Sequence, residues 1–144
     1  MKHLYFLKTQ KWIANGTYYD ENEIAYTLRG FSDIKRTNEE WSLKGFLEVL
    51  SNESPIKFTN NYNISQTEKD ATLKWESYNP ALGTLRGTFE FIGNSIISFY
   101  KSEDDIYSGT EILILNDDKT YYNVGISFCN GKRMSSWTAK LEMV

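Results

Sequence analysis

Apolar and polar residues alternate with a period of two along almost the whole chain, and this one feature removes most folds from consideration. The stretch "LRGTFEFIGNSIISFYKS", Leu85 to Ser102, shows it best. Leu85, Gly87, Phe89 and Phe91 share one face, Arg86, Thr88 and Glu90 the other, and the pattern restarts after Gly93-Asn94. Alternation interrupted by Gly-Asn is a β-hairpin signal.

Ten such segments follow one another. Trp12 to Tyr19 reads as the first strand. Ile24, Tyr26, Leu28, Gly30 and Ile34 share a face in the second; Trp41, Leu43, Gly45, Leu47 and Val49 in the third. Ile56, Phe58, Tyr62 and Ile64 mark a fourth, after Pro55, and Ala71, Leu73 and Trp75 a fifth. The opening hairpin supplies the sixth and seventh, and Tyr107 to Leu115 the eighth. Tyr122, Val124, Ile126 and Phe128 are expected to share the inner face of the ninth, and Trp137, Ala139, Leu141 and Met143 that of the tenth. Turn signals separate them, among them "DENE" at 20–23, "RTNE" at 36–39, "SNESP" at 51–55, "SEDD" at 102–105 and "NGK" at 130–132. The rival to strand is a helix in "TNEEWSLKGFLEVL", where Thr37 and Glu40 resemble a capping box. The odd-numbered apolar run and Gly45 favour strand.

About ten antiparallel strands in a single domain spanning 1–144 must deal with their edges, and closure abolishes them. Gly16, Gly30, Gly45, Gly87, Gly109 and Gly125 fall inside strand patterns. Glycine weakens a flat strand but suits one that bends or coils tightly. The expected fold is therefore all-β: a closed or nearly closed antiparallel up-and-down barrel of eight to ten strands. A two-sheet sandwich is the alternative.

Composition narrows the function. The net charge is −3 and no basic stripe exists, which argues against nucleic-acid binding. The single cysteine, Cys129, cannot form an intrachain disulfide, and the single histidine, His3, is remote from it in sequence. A thiol nucleophile, a zinc site and a haem site are therefore not expected, nor is a cofactor. The acids of "SEDD" and "NDDK" lack the alternating spacing of a calcium loop. The apolar run Leu4 to Leu7 is too short for a secretory h-region, and no segment approaches a membrane span. A cytoplasmic protein is expected, with the sequons at Asn15, Asn52 and Asn63 as chance matches.

The meander of strands, the length, the mid-strand glycines and the Trp-containing first strand "KWIANGTYY" together resemble the calycin group, the lipocalin and fatty-acid-binding barrels. The resemblance implies that Trp12 packs at a closed barrel end beneath a basic residue of the last strand, Arg133 or Lys140. The chain departs from that pattern in placing Gly16 four residues after Trp12, and "SNESPIK" leaves no room for a helical lid. The resemblance is one of fold, so function transfers only as analogy.

Aromatic residues make up 15% of the chain. By alternation Tyr18, Tyr26, Trp41, Phe58, Tyr62, Trp75, Phe89, Phe91, Phe128 and Trp137 point inward. They suit a filled β core or a cavity lining, and a one-residue slip of register would place them on the exterior or the rim instead. Tyr and Trp carry polar handles that want partners when buried, which suits a lumen holding a small apolar or amphipathic ligand. Glu111, in "YSGTEILIL", enters that lumen if Tyr107, Leu113 and Leu115 point inward, and is solvated if Ile112 and Ile114 do. Arg29, Arg86 and Glu90 are expected outside, Arg86 and Glu90 as a surface pair; Arg36 has inward parity at a strand end. Three functions remain open. One is a non-enzymatic binding module. Another is a cofactor-free isomerase, cyclase or hydrolase using Glu111 with Tyr26 or Tyr107. The last is a filled barrel acting through its outer surface.

Overall fold

The computed structural model describes residues 9–37, 40–51 and 54–144. His3, the run Leu4 to Leu7, the sequon at Asn52, and parts of the turns at 36–39 and 51–55 lie outside the described residues. The strands are β1 (Gln10–Tyr19), β2 (Ala25–Thr37), β3 (Glu40–Leu50), β4 (Ile56–Gln66), β5 (Thr72–Asn79), β6 (Gly83–Ile92), β7 (Ser95–Ser102), β8 (Tyr107–Asp117), β9 (Thr120–Cys129) and β10 (Lys132–Met143). Each pairs antiparallel with its sequence neighbour, and β1 pairs β10 to close the barrel. The closing ladder runs from Trp12↔Met143 to Tyr19↔Ser136. The sandwich and the helix across 37–50 are both excluded by this topology. No helix among the described residues is long and apolar enough to cross a membrane.

Turn chemistry matches the sequence where it can be tested. Asn130 and Gly131 both adopt left-handed φ, 51° and 80°, as the two-residue β9–β10 hairpin requires. Inside the strands the glycines serve a different purpose. The ring of Tyr100 lies across Gly109 and that of Trp137 across Gly125, so a methyl group at either glycine would occupy the ring's place. Aromatic cover of a bare glycine fixes register and lets the wall curve.

The interior is unequal along its axis. One end is plugged by Trp12, Ile34, Trp41, Leu43, Ile64, Leu73, Ile96, Leu113, Tyr121 and Leu141, all buried. Trp12 is fully buried and meets Tyr121 edge-on at 5.6 Å. This is the closed end expected for Trp12, but neither expected base covers it. Lys140 is exposed and pairs in register with Asn15, so its parity points outward. Arg133 lies at the opposite end, where it meets Glu23 at 3.7 Å and donates to Ser136.

The ninth strand corrects the expected parity. Tyr121, Asn123, Gly125 and Ser127 face in, while Tyr122, Val124, Ile126 and Phe128 face out, so Phe128 is not an inward residue. The ladders decide this: Tyr121 sits between Leu115 and Leu141, and Asn123 between Leu113 and Ala139. Apolarity marked the wrong face because the lumen here is polar. Outside, Phe99 (57% exposed), Ile114 (43%), Tyr122 (46%) and Val124 (48%) form an uncharged apolar stripe across β7–β9. Arg29 is outside, bound to Glu48 at 2.7 Å. Arg86 is outside too, but it pairs with Glu76 at 2.9 Å rather than with Glu90, because Glu76 is its cross-strand partner.

Alanine substitutions should separate the two faces of β9 in urea unfolding. Tyr121→Ala is expected to cost about 3–5 kcal/mol, as for a buried aromatic. Tyr122→Ala is expected to stay within about 0.5 kcal/mol, as for a surface site. A reversal of the two would restore the opposite parity.

Candidate functional site

Register places the inward residues on rows that spiral through the wall. One row runs Leu73, Phe89, Ser98, Glu111, Gly125, Trp137, Tyr18 and Tyr26, from β5 round to β2. The next runs Trp41, Ile64, Trp75, Gly87, Tyr100, Gly109, Ser127 and Ser135. Between the plugged end and the opposite mouth the lining is therefore aromatic rings alternating with glycine and hydroxyl groups. Tyr18, Tyr26, Tyr62, Tyr100, Tyr107, Glu111 and Trp137 are only half-buried although the sheet is closed around them. Solvent therefore reaches part of the inner face above the plug.

Glu111 faces in, between Ser98 on β7 and Gly125 on β9. What exposure it has is to the lumen, not to bulk water. That enclosure pushes its carboxyl up to about 7, against the opposing effect of hydrogen bonds from Trp137 and Asn123. The Trp137 indole N–H also donates to Asn123 Oδ1 at 3.0 Å, and Asn123 Nδ2 donates to the Ile112 carbonyl at 3.2 Å. These bonds lock the polar wall in one orientation. Burial, with the nearby Glu111 charge, pushes the Tyr100 hydroxyl up to about 12, so it stays a neutral donor. Ser127 and Ser135 share a hydrogen bond of 2.6 Å just beyond.

The adjoining wall, β4 to β7, carries an aromatic shelf. Tyr62 stacks on Trp75 at 4.5 Å, Trp75 meets Phe89 at 5.9 Å and Tyr100 at 5.8 Å, and its indole N–H donates to Ser98 Oγ at 3.1 Å. Tyr18 and Phe58 stack at 6.2 Å near the mouth, where Phe58 is inward by parity yet exposed. β4 outruns β5 there. Among the described residues the β4–β5 ladder has five pairs and stops at Tyr62↔Ser77, leaving Ile56 to Asn61 unpaired on that side. The mouth is thus notched.

The residues expected at the site divide accordingly. Tyr18, Tyr26, Tyr62, Trp75, Tyr107, Glu111 and Trp137 face the lumen. Trp41 and Phe89 are buried in or beside the plug, and Phe58 stands at the mouth. Arg36 covers the Trp41 ring at 4.9 Å at the plugged end. The Glu111 partner expected from sequence was Tyr26 or Tyr107. Tyr26 instead bonds Asp20 at 3.4 Å, and Tyr107 stands four residues along the same strand, about 13 Å away. Trp137 and Asn123 take that place as hydrogen-bond donors, with Tyr100 close enough to feel the charge. The signal for Tyr100 was its shared face with Ile96 and Ser98; Asn123 was hidden by the inverted pattern of β9. Among the described residues no three His, Cys, Asp or Glu side chains gather as metal ligands. Cys129 is half-buried at the mouth. A groove of about 600 Å³ on the outer wall is lined by Lys74, Glu76 and Arg86 among others, and Arg86 is already paired with Glu76 and Glu103.

Ligand-free stability should carry the signature of Glu111. In the unfolded chain its carboxyl ionises near 4.5, in the fold at about 7. Between those values the folded state holds the extra proton. Stability is therefore full below about 4.5, falls as pH rises, and levels above about 7, a loss of about 3 kcal/mol. Glu111→Gln is expected to abolish this fall in urea titrations across pH 4 to 8. A wild-type profile that rises over that window would contradict the buried placement.

No family model matches the chain, and no curated protein matches it. Among solved structures it is similar to the S-type phycobiliprotein lyase CPES from Guillardia theta, at 8% identity and a TM-score of 0.63, covering 94% of this chain and 86% of that one. An N-terminal dehydratase from the difficidin assembly line aligns at 8% identity and a TM-score of 0.30, covering 92% and 78%, too low to support an inference. The first likeness is one of fold alone.

Proposed function

We propose that this barrel is a non-enzymatic binding module that carries one small amphipathic molecule in its lumen. The expected cytoplasmic setting belongs to this reading. The observation that supports it is the pairing of a polar inner wall, Glu111 with Asn123, Trp137 and Tyr100, against the shelf of Tyr62 and Trp75 in a closed tube several of whose inward residues are only half-buried. A filled core gains nothing from a carboxyl, and keeping one there costs stability. A lumen that must hold both a polar and an apolar end uses it. The notch beside Ile56 to Asn61 supplies a way in. The similarity to a phycobiliprotein lyase adds that this fold serves a protein named for acting on phycobiliproteins; its activity is not carried over.

A second reading, assembly through the outer wall, is favoured by the apolar stripe of Phe99, Ile114, Tyr122 and Val124. The stripe holds no charge, so its complement is another uncharged apolar face, and a second copy presents one.

Native mass spectrometry of freshly purified protein is expected to show a bound small molecule that organic solvent removes. The neutral dye N-phenyl-1-naphthylamine should enter stoichiometrically. Ser127→Trp, which fills the lumen, should abolish uptake, whereas Val124→Lys on the outer stripe should not. No co-purified molecule together with no dye uptake would remove the lumen reading. Sedimentation velocity on Val124→Lys addresses the stripe: wild type should associate with rising concentration and the variant should not.

A further inference from the structure

We infer that the lumen selects cationic amphiphiles: an apolar or aromatic body bearing a protonated nitrogen, the nitrogen at Glu111 and the body against Trp75 and Tyr62. The inference rests on the lumen reading above and names the ligand class. Its first support is the inventory of charge. Among the described strand residues between the two rims, Glu111 is the one inward side chain with a formal charge. Arg29, Lys44, Lys57, Lys74, Arg86, Lys101 and Lys140 all have outward parity, and Arg36 stands at the plugged end over Trp41. An anionic ligand would find no cation inside and would meet a carboxyl, which costs both desolvation and repulsion.

The second support is the arrangement of rings. Gly109 precedes Glu111 by two residues on the same face, and Gly125 is its cross-strand partner. Tyr100 lies across the first glycine and Trp137 across the second. A cation at the carboxyl is therefore flanked by two aromatic rings, a setting that favours ammonium groups in desolvated sites.

The third is the mouth. The described turns there carry Asp20, Glu21, Glu23, Glu103, Asp104 and Asp105, against Lys57, Lys101, Lys132 and Arg133 on the adjoining strand ends, with Glu23 and Glu103 already paired to Arg133 and Arg86. The excess of acid raises the local concentration of cations at the entrance. The titratable group facing Glu111 from the packed strands is Tyr100 on β7; β9 and β10 present Asn123 and Trp137, which do not titrate. Capture of the cation by a protonated Glu111 balances as release of that proton to solvent, leaving a carboxylate–ammonium pair.

Three isosteric probes test this by calorimetry on the full chain: 2-naphthylmethylamine, 2-naphthylmethanol and 2-naphthoate. At pH 8 the amine is expected to bind about tenfold tighter than the alcohol, as for a charge-assisted hydrogen bond, and the naphthoate weakest. Glu111→Gln, checked for folding by thermal unfolding, should erase the preference for amine over alcohol. At pH 6, titrations in buffers of different ionisation heat should show proton release on amine binding to wild type and none to Glu111→Gln. Naphthoate binding as tightly as the amine, or an amine preference that survives in Glu111→Gln, would overturn the cationic class while alcohol binding upheld the lumen. Failure of all three probes to bind would remove both readings.

Discussion

Closure of the sheet between β1 and β10 is the constraint on which everything else in this molecule rests. Once Trp12 pairs with Met143 and Tyr18 with Trp137, no strand can slip by one residue without breaking a ladder on each side. The stagger needed to close the tube makes register rows climb around it. Residues far apart in sequence are brought onto one spiral: Ser98, Glu111, Trp137, Tyr18 and Tyr26 come from five strands. No single hairpin contains the site. It exists only because the sheet returns to its first strand.

That geometry encloses a division of labour. The end around Trp12, Tyr121, Ile34 and Leu113 is dry and packed, and stability is concentrated there. Toward the mouth the tube gives up apolar burial for hydroxyls, an amide and a carboxyl. The hydrogen bond from Trp137 to Asn123, and that from Trp75 to Ser98, satisfy buried donors that would otherwise be costly. Glu111 is the exception, since burial holds its carboxyl up at about 7 despite its hydrogen bonds. A group kept against its own preference in an otherwise satisfied wall is the kind that function retains.

The same polarity set the limit on what the sequence could reveal. Strand count, antiparallel order, closure and the inward faces of β1 to β6 and β10 were legible, because there most inner residues are apolar; β7, with Ser98 and Ser102 inside and Ile97 and Phe99 outside, gave no assignment. On β9 the rule inverts. Tyr121, Asn123, Gly125 and Ser127 line the lumen, while Tyr122, Val124 and Ile126 face out. On β8 the same inversion left Glu111 undecided, with Ile112 and Ile114 competing for the inner face. The polar wall, on which the proposed binding rests, was the part where alternation of hydrophobicity gave the wrong sign or none. The base expected over Trp12 failed for another reason. It was carried by likeness of fold, and neither Lys140 nor Arg133 has the parity and height to reach that ring.

The outer stripe then has a structural reason of its own. Ile97, Ile112 and Val124 are successive register partners on the outside of β7, β8 and β9. Cross-strand contacts between β-branched side chains stabilise a sheet from whichever face carries them, by some tenths of a kcal/mol for each pair. These are the strands that present Ser98, Glu111 and Asn123 inward and so contribute least apolar packing to the core. Placing the isoleucines outside stiffens this wall without filling the lumen. The inverted pattern thereby holds the polar wall in register while keeping its inner face polar. The cost is an exposed apolar surface, which is why the lumen and the stripe have to be tested by substitutions on opposite faces of the same strands.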